Sequence, residues 1–242
     1  MSATTRMARA TARTALAGTA AVVAGYAAYA AVTWLRYGRV ANGADPRERD
    51  ALLDDFIPTY DIVERHRIRV AAPADITLAA ARDQDLLHVP LVRAIFKARE
   101  IAMGATPGEP QPRGLLAATQ ALGWGVLAEM PGREIVVGAV TKPWEADVTF
   151  QALPPADFAA FAQPGFVKIV WTLRADPLDR ENSIFRTETR AVATDAEARA
   201  RFRAYWAFAS PGIALIRRLS LRPLKHEAER RARERVAFAE GT

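Results

Sequence analysis

The chain has 242 residues, no cysteine and three histidines, with a net charge of +6 at pH 7 and half of its residues hydrophobic. Neither a disulfide framework nor a thiol nucleophile can be built from it, and His66, His88 and His226 lie too far apart in sequence for a helical His pair to form a zinc motif. The basic balance does not point to nucleic acid: the first 44 residues hold five arginines and no acid, which leaves the remainder nearly neutral and without an RNA- or DNA-binding motif.

The first element in chain order is an uncharged run of 22 residues between Arg13 and Arg36. At about 1.5 Å per residue such a run is long enough to cross a bilayer core. Arg6, Arg9 and Arg13 precede it, and Trp34 and Tyr37 stand where an interfacial aromatic belt would lie. Nine of the 22 are alanine, so the hydrophobic drive is modest. The reading adopted is a basic arm over 1–13 followed by a single-pass transmembrane anchor over 14–36. The alternatives are a cleavable signal peptide, with Ala28-Tyr29-Ala30 as its small-x-small site, and a merely amphipathic or soluble arm. Arginines on both flanks leave the side of the membrane open.

Residues 37–60, with Asn42-Gly43, Asp45-Pro46 and Pro58, read as a linker. Ile62 to Val70 then alternates as a strand, with Ile62, Glu64, His66, Ile68 and Val70 on one side and Val63, Arg65, Arg67 and Arg69 on the other. Pro73 to Arg82 and Pro90 to Ala102 read as short helices, Ala105 to Gly114 as a loop, and Leu115 to Leu122 as a short helix or turn. Gly125 to Met130 and Glu134 to Val140, joined by Pro131-Gly132-Arg133, form a hairpin pattern. Asp147 to Gln151 is a further strand candidate, and Pro154-Pro155-Ala156-Asp157 opens a one- or two-turn helix.

Two long strand patterns follow, FVKIVWTLRA from Phe166 and SIFRTETRAVAT from Ser183, and they feed without a linker into a long helical segment. Thr194 and Glu197 make a T-x-x-E capping box, which places the helix N-cap at Thr194. Phe202, Tyr205, Trp206, Ala209, Ile213, Ile216 and Leu219 recur mostly at three- and four-residue steps. Pro211 predicts a kink or break that divides the helix in two. From Arg217 onward the segment is basic and reads as a solvated helix end, with 226–242 as a basic helical tail. The later strands lack intervening helices, so a parallel βαβ plan is unsuited. The fold class is α+β: one domain over 61–225, an antiparallel sheet wrapped on a long C-terminal helix.

The segments Gly138 to Trp144 (GAVTKPW), Pro164 to Leu173 (PGFVKIVWTL), Thr187 to Asp195 (TETRAVATD) and Phe202 to Arg218 (FRAYWAFASPGIALIRR) resemble an uncharacterised bacterial branch of the START-like, polyketide cyclase and Bet v 1 superfamily, the SRPBCC proteins. The resemblance spans about Ile62 to Leu224. It implies the helix-grip fold and a cavity between sheet and helix for an apolar or amphipathic ligand, and it implies no reaction.

Few residues stand in a pattern that carries chemistry. No serine stands in G-x-S-x-G, and Gly123-Trp124-Gly125 lacks the further residues of a dinucleotide or phosphate loop and reads as a turn. No metal site and no cofactor are expected. What remains is polar residues near aromatic ones. Glu188 shares a strand face with Arg186 and Arg190. If that face is outward, they form an exposed charge ladder with Lys168 or Arg174 nearby; if inward, Glu188 and Arg190 stand in a desolvated cavity. His66 is a hydrogen-bonded wall residue or a base. Trp144, Trp171, Tyr205 and Trp206 are core residues or cavity lining, with Trp171, Tyr205 and Trp206 expected to line one cavity.

Three functional classes fit. One is a noncatalytic module for a hydrophobic small molecule or lipid, tethered to a membrane. Another is a cyclase, aromatase or hydratase using Glu188, His66 or Glu145 with Arg190. The third is an interaction domain with a filled core. The first is adopted, because no acid–base constellation stands out and the anchor supplies a reason for apolar ligands.

Overall fold

Two long strands, β5 (Val167–Pro177) and β6 (Ser183–Ala193), hold the centre of an antiparallel sheet. The structure is a computed structural model and describes residues 3–39, 50–86, 89–106 and 112–240. β1 (Ile62–Val70) pairs with β6, β3 (Glu134–Thr141) pairs with β5, and β2 (Gly125–Met130) pairs with β3, giving the order β1-β6-β5-β3-β2. A two-residue strand, β4 (Phe150–Gln151), also pairs with β3, which makes six strands. β1 and β2 form the edges, and the β2 register shifts between Val126 and Ala128. Gly123 turns the chain into β2 at φ +97, where a Cβ would collide with the Phe150 carbonyl, so only glycine serves there.

The helices are α1 (Ala3–Arg36), α2 (Ala51–Phe56), α3 (Ala74–Asp83), α4 (Pro90–Met103), α5 (Leu115–Ala121), α6 (Pro155–Ala160) and α7 (Ala196–Glu240). The alternation of strand side chains divides them between two faces. On the front face Val70, Ile135, Val137, Trp171, Leu173, Ala175 and Phe185 meet α3 and the second half of α7. Farther along that face Ile62, Val167 and Ala191 meet Phe202 and Trp206 of α7, with Tyr37 beside them. On the back face Val136, Val140 and Val170 meet Leu53, Phe56 and Ile57 from the α2 segment and Phe158 of α6. Each large apolar side chain buried this way contributes roughly 1.5–3 kcal/mol. Gly138 of β3 permits the close approach of α6, since a Cβ there would stand 3.2 Å from Phe158 and inside the Leu127 side chain.

Four expectations are revised. The stretch read as a linker over 37–60 contains α2, whose Asp50 caps Leu53 and whose apolar residues belong to the back core; Asn42-Gly43 and Asp45-Pro46 lie outside the described residues. The N-cap of α7 is Asp195, which accepts from the amides of Glu197 and Ala198 at 2.7 and 2.9 Å. Thr194 instead closes a reciprocal pair with the Phe166 backbone, accepting from its N–H and donating to its carbonyl. Thr194 is thereby withdrawn from capping. α7 runs unbroken through Pro211 and Pro223; the packing of Ala207 and Ser210 on one side and Leu224 on the other holds the helix together where the proline amides are missing. Finally, the basic stretch from Arg217 is not a free end: Leu224 and Ala228 are core residues, and Arg231 and Arg235 reach Asp83 and Asp75 of α3 at 2.9 and 3.0 Å.

α1 is one helix of 34 residues, so the basic arm and the apolar run are continuous. Its segment Gly18–Arg36 is long and apolar enough to cross a membrane, and none of it is buried in the protein. The helix end is fastened to the domain. Asp61, buried at 1%, takes the Tyr37 hydroxyl at 3.3 Å, the Ala193 amide at 2.9 Å and the Arg199 guanidinium, while its carbonyl accepts from Gly38. Burial and the Asp61 carboxylate push the Tyr37 hydroxyl pKa up, so it stays a donor. Arg203 of α7 stacks on Trp34 and bonds its carbonyl at 3.0 Å.

Candidate functional site

The front face of the central strands is not fully packed. Ile169 of β5 and Thr189 of β6 point at α7 from the middle of the sheet, yet both keep intermediate exposure, as do Tyr205, Ile213 and Arg217 above them. Residues flanked by strands on both sides and covered by a helix retain accessible surface only where space is left between them. The sheet register orders this space. One row carries Glu64, Thr189, Trp171 and Val137 across four strands, and the row beside it carries Ile62, Ala191, Ile169 and Ala139.

Arg217 enters from α7. Its Nη2 donates to the Thr189 hydroxyl at 3.0 Å, its Nη1 lies 3.3 Å from the Thr187 hydroxyl, and its guanidinium sits 5.3 Å from the centre of the Trp171 ring. Desolvation between the sheet and α7 pulls its pKa down to about 10, opposed by the charge of Glu64; it remains a cation at neutral pH. The Glu64 carboxylate is engaged elsewhere, 3.1 Å from His66 Nε2 on the same side of β1. Among the described residues no carboxylate lies within ion-pair distance of Arg217. A half-buried cation held directly only by neutral hydroxyls and a ring face is an unusual arrangement, since desolvation is costly without a countercharge.

Toward the other end the space becomes aromatic. Trp206 is buried against Phe202, which stacks with Tyr205 at 6.3 Å between ring centres, and Trp144 and Ile213 pack on the same cluster. Of the residues singled out in the sequence, His66 and Trp171 stand at the polar middle, and Trp144, Tyr205 and Trp206 at the aromatic end. Trp171 belongs to the neighbouring cluster with Leu173 and Leu224, with Arg217 over its ring.

Glu188 and Arg190 lie on the back face, separated from this space by the sheet. They are neither an exposed ladder nor cavity residues. Arg190, 2% exposed, bonds Glu188 at 2.7 Å, Asp54 of α2 at 2.6 Å and the Ile57 carbonyl at 2.9 Å, and lies over the Tyr60 ring. Glu188 also receives Arg65 at 2.8 Å. The outward face of the strand is simply covered by α2. Lys168 and Arg174, the expected partners, go elsewhere: Lys168 to the Ala159 carbonyl, Arg174 to Asp176. Glu145 is exposed and, with Lys142, Phe150, Gln151 and Phe166, lines a separate open groove of about 620 Å³. Glu188, Arg190 and Glu145 therefore cannot share a reaction centre with His66. Sequence reasoning missed Arg217, Glu64, Thr187 and Thr189. Glu64 shared the His66 side of its strand, and Arg217 stands four residues after Ile213, but its basic surroundings hid it.

No known protein-family profile matches the chain, and no curated protein matches it. Among solved structures it is similar to a hypothetical protein from Helicobacter pylori, at 9% identity and a TM-score of 0.37, covering 72% of this chain and 93% of that one. It is also similar to the di-domain ARO/CYC BexL of the BE-7585A biosynthetic pathway, at 18% identity and a TM-score of 0.26, covering 69% of this chain and 46% of that one. For the Zhui aromatase/cyclase from Streptomyces the identity is 18% and the TM-score 0.22, covering 70% and 94%. None reaches 0.5, so the strand order and α7 themselves carry the statement of fold.

Proposed function

We propose that the protein is a noncatalytic binding module for a hydrophobic small molecule or lipid, held between the sheet and α7 and kept at a membrane by α1. The observation that carries this reading is the intermediate exposure of Ile169 and Thr189 in central strands under a helix. Evolution toward a merely stable core would fill such space, because each unfilled methylene costs contacts. The lining supports an amphipathic occupant: Ile169, Ile213, Tyr205 and Trp144 for a tail, with Arg217 and two hydroxyls for a polar end. The apolar segment Gly18–Arg36, docked on the domain through Tyr37 and Asp61, supplies access to membrane ligands.

Native mass spectrometry of the full chain purified from its own membranes tests this. The expected result is a retained small molecule that organic extraction releases. A bare polypeptide mass, together with indole fluorescence indifferent to fatty acids, isoprenoids and aromatic polyketides, would overturn it in favour of a filled interaction domain.

A second reading, an enzyme of the cyclase, aromatase or hydratase kind, has one observation in its favour. His66 Nε2 and the Glu64 carboxylate meet at 3.1 Å on the wall that carries Arg217's hydroxyl partners, and such a pair can move a proton. Recovery of the bound compound chemically unchanged after prolonged incubation decides for the binder.

A further inference from the structure

The unfilled requirement of Arg217 identifies one end of the occupant. A guanidinium offers five N–H donors. Two of its nitrogens reach Thr187 and Thr189, and its Nε makes no hydrogen bond among the described residues. Hydroxyls rotate freely and carry no charge, so the guanidinium is answered only through space by Glu64 and by no direct ion pair among the described residues. Packing Arg217 in a place that desolvates it, above an indole ring and beside accessible space, is costly for folding. The cost is offset when an anion arrives to complete the pair.

The surroundings limit that anion to one negative charge. Glu64 already places a carboxylate nearby, and its influence on Arg217 is felt although its bond goes to His66. A dianion would leave surplus charge in a low-dielectric interior. Planarity adds a second limit, because the guanidinium fork matches a two-oxygen carboxylate edge to edge. The direction of the rest follows from the register. Of the two inward neighbours of Trp171 on β5, Leu173 is buried in the packed core whereas Ile169 keeps intermediate exposure, and on α7 Ile213 lies one turn before Arg217. Both steps lead away from the polar row toward Tyr205, Trp206 and Trp144.

We infer that Arg217 is the head-group site for a monoanionic, carboxylate-class amphiphile whose apolar tail lies along Ile169 and Ile213 toward the Tyr205–Trp144 end. This inference rests on the binding reading above and names the class of its ligand.

The test uses the full chain in dodecylmaltoside, with a dibrominated C18 fatty acid and the alcohol of the same chain as probes. Bromine near Trp171 or Trp206 quenches the indole. Wild type should take the acid about tenfold or more tightly than the alcohol, the scale of one charge-assisted contact. Arg217→Gln should collapse the acid-to-alcohol ratio to about one. Equal affinity of wild type for acid and alcohol overturns the head-group inference and leaves the binding reading intact. Failure of both probes to quench, with the protein folded, overturns this inference, and the mass of the purified protein then decides the binding reading separately. If Arg217→Gln does not fold, the wild-type acid-to-alcohol ratio decides the matter.

Discussion

Arg190 and Arg217 are two interior arginines on opposite faces of one sheet, and their surroundings differ in kind. Arg190 has every direction answered: Glu188, Asp54, the Ile57 carbonyl and the Tyr60 ring. Arg217 has two hydroxyls and one ring, with its nearest acid turned toward His66. The first arrangement fastens α2 to the back of the sheet and requires nothing further. The second is incomplete. A charge satisfied within the fold marks structure, whereas a charge without a direct ion pair among the described residues, beside side chains that keep accessible surface, is what the proposed head-group site rests on.

Three measurements put this contrast at risk. Arg190→Ala removes the buried tie between Glu188, Asp54 and the Ile57 carbonyl, while Glu188 keeps Arg65 and Asp54 keeps solvent; losing charge-assisted hydrogen bonds of this kind costs about 1.5–3 kcal/mol, and chemical denaturation should show that loss. A change under about 1 kcal/mol, the range of an exposed pair, would mean that the back-face network is ornamental. The next effect in size belongs to Glu134, also on the back face, whose carboxyl is pushed up to about 8, first by burial and then by the adjacent Asp50 carboxylate, against the pull of Arg174. The folded state therefore binds this proton more tightly than the unfolded chain. Its stabilisation is complete below pH 4.5 and is lost as pH rises through 8. Glu134→Gln should thus gain on wild type between those limits by at least about 1.4 kcal/mol, the free energy of a tenfold difference in proton affinity between the folded and unfolded chain. A pH-independent difference in melting temperature would refute it. Smallest of all is Arg217→Met. Exchanging a poorly compensated buried cation for an apolar side chain should change stability by less than about 1 kcal/mol, or raise it. A loss as large as that of Arg190→Ala would move Arg217 into the structural class.

Much of the architecture is legible from alternation and periodicity. β5 and β6 follow from their alternating strand-like runs, the β2–β3 hairpin from two apolar runs joined by Pro131-Gly132-Arg133, and α7 from its three- and four-residue apolar steps. What the patterns do not carry is the identity of the covering layer. Alternation tells that Glu188 and Arg190 share a face; that α2 lies over it depends on Leu53, Phe56 and Ile57, a short apolar group inside a stretch otherwise rich in turn residues. Capping shows the same limit, because Thr194 and Asp195 are both good caps and only the geometry at Phe166 assigns one to each task. Arg217 was hidden for a different reason: a count of charges along a basic helix does not reveal which one faces inward.

The strand edges have a consequence for how molecules of this protein meet one another. β1 carries Arg65, Arg67 and Arg69 on alternate positions along one edge, and β2 carries the register shift between Val126 and Ala128 along the other. Repeated charge and a bulge are two separate ways of spoiling a flat template for a further strand. A protein held by α1 in the plane of a membrane would reach high local concentration, where sheet-to-sheet joining becomes a hazard. Both edges are built so that crowding does not turn one sheet into the seed of a longer one.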